Sequence, residues 1–82
     1  MITVLWDPPA VREMRRIDPP IASQIRDAVR RYATTRQGDL RPLRPPLVGC
    51  RLRVGDWRVR LRFADPDLIH IEHVLHRSQA YR

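Results

Sequence analysis

The stretch Gly49–Phe63, GCRLRVGDWRVRLRF, limits what this chain can fold into more than any other part of it. Leu52, Val54, Trp57, Val59, Leu61 and Phe63 are apolar, and Arg51, Arg53, Arg58, Arg60 and Arg62 fall between them. A strand sends successive side chains to opposite faces, so the stretch reads as extended chain with one apolar face and one arginine face. Gly55-Asp56 in its middle reads as a two-residue hairpin turn. That turn sets Val54 opposite Trp57, Arg53 opposite Arg58, Leu52 opposite Val59 and Arg51 opposite Arg60. The apolar partners agree, and a slip of one residue would flip every side chain. The arginine partners repel, because like charges directly opposite each other destabilise a sheet. A chain that accepts two such rungs either spreads them into water or holds an anion there, and the pattern alone leaves both readings open.

The remaining residues must supply the core that covers the apolar face. With 82 residues, one small domain over residues 1–82 is expected, burying about 60–65% of its unfolded surface. All 16 basic residues are arginine, the net charge is +7, and the pI is about 11.4. Arginine offers a planar fork suited to phosphate and stays charged throughout the physiological range. Such an excess points to nucleic acid or to an acidic protein partner. The single cysteine, Cys50, excludes an internal disulfide and reads as a small, partly buried hydrophobe. No apolar run approaches the roughly 18 residues of a membrane span, and no signal peptide is evident, so a cytoplasmic protein is expected.

Met1–Trp6 reads as a strand by residue type. Asp7-Pro8-Pro9 stops it and starts a short helix, with Asp7 as cap and Pro8 at the first helical position. Ala10, Val11, Met14 and Ile17 recur at helical spacing. Asp18-Pro19-Pro20 repeats the start signal, and Ile21, Ile25, Ala28, Val29, Tyr32 and Ala33 form the stripe of a second helix running from Pro20 to about Thr34. Arg36–Val48 reads as a long loop, with Pro45-Pro46 keeping it extended. After the hairpin, a turn at Asp65-Pro66-Asp67 leads into LIHIEHVLH. A loop over residues 64–68 pairs Phe63 with Ile69. It sets His70 beside Arg62 and Glu72 beside Arg60 on the arginine face, with Val74 and His76 on that face too. His73 then points away from His70 and His76, so the three histidines cannot share a zinc ion, and no metal or other cofactor is expected. Trp6 and Trp57 read as core.

The predicted order β-α-α-β-β-β, together with RLRVGDWRVR and the terminal HRSQAYR, resembles the RelE/ParE superfamily of bacterial type II toxins, and the likeness covers nearly the whole chain. The hairpin segment and the H-R-x-x-x-Y-R ending look more like the RelE branch than the ParE branch. The resemblance implies an α+β fold, with two N-terminal helices packed on a small, mainly antiparallel twisted sheet. It implies a metal-independent endoribonuclease that cleaves mRNA on the ribosome, and an acidic antitoxin from an adjacent gene as partner in a hetero-oligomer. The alternative is a ParE-like toxin that binds DNA gyrase and cleaves nothing. A third possibility is a basic binding protein of the same fold without activity.

Roles carry over by position. Arg58, in D-W-R, matches the arginine that contacts the scissile phosphate. Arg51 and Arg53 match basic positions on the preceding strand, and Arg60 and Arg62 extend the RNA-binding face. Tyr81 matches a C-terminal tyrosine that acts as base or stacks on a nucleotide. Arg77 matches the arginine of the terminal H-R pair, and its neighbour His76 is the other candidate acid or base. Two further basic positions of the best-studied RelE correspond here to Gly49 and Leu75.

Overall fold

A computed structural model of the chain describes residues 1–80. It consists of β1 (Thr3–Trp6), α1 (Pro8–Arg15), α2 (Pro19–Thr35), β2 (Asp39–Pro42), β3 (Cys50–Val54), β4 (Trp57–Asp65), β5 (Leu68–His76) and α3 (Arg77–Ala80). The five strands form one sheet in the order β1-β5-β4-β3-β2. Only β1 and β5 run parallel; the other neighbours are antiparallel. The α+β expectation holds, with one more strand and a short third helix.

Both long helices start at the Asp-Pro-Pro signals, but not through side-chain caps. The backbone carbonyl of Asp7 accepts from Val11 N, and that of Asp18 accepts from Ala22 N. Neither carboxylate caps its helix. Asp7 instead places Oδ1 2.8 Å from His70 Nδ1. Ile25, Val29, Tyr32 and Ala33 of α2 are buried, as the apolar stripe predicts, with Ala22 buried beside them and Ile21 and Ala28 half-buried. They pack with Leu52, Val59, Leu61, Ile69, Ile71 and Val74 of the sheet into one core. Removing a branched aliphatic side chain of this size from water contributes about 1.5–3 kcal/mol, which is what fixes the helices on this face.

The hairpin register is the predicted one, from Val54↔Trp57 to Arg51↔Arg60. Gly55 has φ +59, as the first central residue of a II′ turn requires. Phe63↔Ile69 and Arg62↔His70 also pair as expected.

Below that point the expectation fails. The register shifts between Leu61↔Ile71 and Arg60↔His73, leaving Glu72 as an extra residue. Such a bulge reverses the facing of everything after it. Val74 therefore enters the core at 2% exposure. His76 pairs with Trp57, which packs against the core. Neither residue lies on the arginine face, and Glu72 sits beside Arg62, 3.2 Å from its Nε, rather than beside Arg60. It is also His76, not His73, that the strand separates from the other two histidines.

The segment Arg36–Val48 is not simply a loop. Asp39–Pro42 forms β2, an edge strand on β3. The chain then turns at a cis Pro45–Pro46 bond instead of staying extended. The turn is closed by Leu47 N donating to Arg44 O at 3.0 Å and Leu43 N donating to Gly49 O at 2.9 Å.

Candidate nucleic-acid interface

The face of the sheet away from α1 and α2 carries two cross-strand rungs. One runs Arg41↔Arg51↔Arg60↔His73, the other Asp39↔Arg53↔Arg58↔Leu75. Directly paired side chains sit about 4.5–5.5 Å apart at Cβ. Two guanidiniums about 4 Å apart repel by roughly 1 kcal/mol even at the dielectric constant of water, and more where water is excluded. Three arginines in one rung therefore oppose the sheet pairing that aligns them.

Local acceptors hold several of these groups in place. Arg58 is buried, at 6% exposure. Its Nη1 donates to Gly55 O at 2.9 Å and to Trp57 O at 3.0 Å. Arg60 Nη2 donates to Ala80 O at 3.1 Å, which lays the end of α3 against the arginine face. Arg41 Nε lies 3.2 Å from Asp39 Oδ1. These bonds fix directions rather than neutralise the face, since the carboxylate among them, Asp39 at Arg41, forms a solvent-exposed pair.

A cleft of about 730 Å³ opens where these residues converge, lined by Arg41, Arg44, Arg51, Arg58 and Arg60 with Pro42, Leu43, Leu47 and Ala80. A smaller hollow of about 290 Å³ shares Arg41, Arg51 and Arg58 with it and adds Arg53 and Asp39. Among the described residues, no acidic side chain lines the larger cleft. Five cations around one concavity suit a ligand bearing several phosphates.

Four of the sequence candidates thus come together: Arg51, Arg53, Arg58 and Arg60. Three do not. Arg62 is held by Glu72 and lines neither hollow. Arg77 sits beside the hairpin turn, its Nε 3.9 Å from Asp56 Oδ1 and its backbone N donating to Asp56 O at 2.7 Å. The His76 ring stands edge-on to Trp57, with centroids 5.3 Å apart, and its Nδ1 lies 3.0 Å from Ser78 Oγ. The bulge at Glu72 turns it away from the cleft. Tyr81 lies outside the described residues. Arg41 and Arg44 belong to the site but were not expected there. The available signal was the alternation Asp39-Leu40-Arg41, masked by the prolines that follow.

Among the described residues no cluster of three or more His, Cys, Asp or Glu side chains is placed to hold a metal ion. None of the helices among the described residues is long and apolar enough to cross a membrane.

The family model described as "ParE toxin of type II toxin-antitoxin system, parDE" matches residues 4–81. No curated protein matches the sequence. Among solved structures, the chain resembles one in the RelB-RelE antitoxin-toxin complex from Methanococcus jannaschii. The TM-score is 0.74 and the identity 20%, covering 94% of each chain. It also resembles one in the toxin-antitoxin complex RelBE2 from Mycobacterium tuberculosis. There the TM-score is 0.72 and the identity 28%, covering 92% of this chain and 96% of that one.

Proposed function

The chain belongs to the ParE toxin family of type II toxin–antitoxin systems, and within it we propose, from the arginine cleft, a toxin of the RelE-like kind, a metal-independent endoribonuclease that cleaves mRNA on the ribosome and stops translation in the cytoplasm. The observation that carries this reading is the arginine rung of β2, β3 and β4 with Arg58 beside it, all lining one cleft. In the proposed reaction the ribose 2′-oxygen attacks the adjacent phosphorus and the bond from phosphorus to the 5′-oxygen breaks. The products are a 2′,3′-cyclic phosphate and a free 5′-hydroxyl. A base takes the 2′-hydroxyl proton, and an acid returns one to the leaving 5′-oxygen.

Negative charge grows on the phosphorane oxygens, and donors already fixed in direction stabilise it most effectively. Arg58, anchored by two carbonyls, has that character. Arg51 and Arg60 flank it, while Arg53, Arg41 and Arg44 are placed to hold neighbouring phosphates. The arginines themselves do not exchange protons. By its match to the C-terminal tyrosine of the RelE-like pattern we assign the base to Tyr81, and water returns the proton to the leaving 5′-oxygen. His76, turned towards Trp57, receives no part in the chemistry. Arg62 and Arg77 are left as outlying RNA contacts.

The similar crystal structures are toxin–antitoxin complexes. That likeness supports an antitoxin partner; in the proposed reading it is acidic, comes from an adjacent gene and holds the chain inactive in a hetero-oligomer. A net charge of +7 with an open arginine face supports an acidic partner.

The name of the matching family favours a second reading, a ParE-like toxin that binds DNA gyrase without cutting nucleic acid. Primer extension on a reporter mRNA after induction separates the two. The nuclease reading expects new 5′ ends at codon positions. Those ends should disappear with Tyr81→Phe and weaken about a hundredfold with Arg51→Ala. Damaged DNA and unchanged mRNA, with Tyr81→Phe as toxic as wild type, would establish the gyrase reading instead.

A further inference from the structure

The large cleft is not lined by cations alone. Pro42, Leu43 and Leu47 add an apolar wall to it beside the arginines. Leu47 is 47% exposed and lies outside the core. The wall is nevertheless held in shape, because Leu47 N donates to Arg44 O and Leu43 N donates to Gly49 O. A phosphate alone needs no apolar wall. A nucleotide does, since its base presents a flat apolar face within a few ångströms of its phosphate. The volume lies within the range of small-ligand sites.

We propose that the loop between β2 and β3 is a nucleobase-binding wall: one base of a single-stranded RNA lies against Leu43 and Leu47 while Arg44 and Arg51 hold the adjoining phosphates. This rests on the RNA reading of the cleft and adds to it the element that orients the substrate. Leu47 is then a positioning residue. Val48 is 81% exposed in the same loop but does not line the cleft, so it has no such role.

The test is fluorescence anisotropy of the full-length protein with two labelled RNA pentanucleotides. One carries all its bases, and the other has abasic ribose at the central three positions. The expected result is tighter binding of the base-bearing strand by about fivefold or more. In Leu47→Ser that ratio should fall towards one with the salt dependence unchanged, and in Val48→Ser it should persist. Equal affinity of wild type for both strands overturns the wall while leaving the phosphate site intact. So does a ratio that survives Leu47→Ser, or one that Val48→Ser lowers equally. Failure to bind either strand overturns the RNA reading itself and the wall with it.

Discussion

At the scale of single residues, Gly49 explains why this chain departs from the basic residue that a RelE-like pattern sets there. Its φ is +110, and a Cβ added to it would lie 2.5 Å from the carbonyl oxygen of Leu61. Backbone cannot move aside as the end of a flexible side chain can. Gly49→Lys is therefore expected to cost more than about 2 kcal/mol in urea unfolding, with no gain in activity. A variant as stable as wild type would show that the close approach of β3 and β4 is not needed. Arg58 combines two duties in one side chain. Besides lining the cleft, it donates to the carbonyls of Gly55 and Trp57. Deleting it removes two charge-assisted hydrogen bonds to part-buried carbonyls, at about 1–3 kcal/mol in all. Loss of function in Arg58→Ala thus mixes folding with chemistry, and its urea unfolding must be measured beside its activity.

At the scale of elements, the hairpin of β3 and β4 was legible because everything that sets it is local: one turn and a strict alternation. The bulge in β5 was not, because its cause is distant in sequence. β1 pairs only as far as Ile71, which leaves the outer edge of β5 open beyond it. Glu13 of α1 takes over that edge, accepting from Val74 N at 2.9 Å through Oε1 and lying 3.3 Å from His73 Nδ1 through Oε2. Nothing in LIHIEHVLH signals that a glutamate 61 residues earlier completes its edge. Similarly, β2 was hidden because Pro42 reads as a breaker, yet proline is tolerated on an edge strand. The bulge makes an unambiguous prediction. Val74→Ala should cost roughly 1–2.5 kcal/mol, and Leu75→Ala clearly less, by chemical denaturation. Regular alternation demands the reverse order, and finding it would remove the bulge and return His76 to the arginine face.

At the scale of the whole molecule, the sheet divides the chain's two tasks. One face packs on α1 and α2 and supplies the stability; the other gathers guanidiniums that repel one another. The arginine face was readable from the hairpin alone. Its completion by Arg41 and Arg44 was not, since it required knowing that an edge strand brings the preceding loop alongside. The central claim is that these cations converge on a polyanionic strand, and salt dependence addresses it most directly. Binding of single-stranded RNA should weaken with added salt on a log–log slope near −0.7 per phosphate neutralised, about −3.5 if all five cleft arginines engage. Arg41→Gln, Arg44→Gln and Arg51→Gln should each reduce that slope by about 0.7, whereas Arg15→Gln, on α1, should leave it unchanged. A flat response, or an equal loss from Arg15→Gln, would contradict the claim.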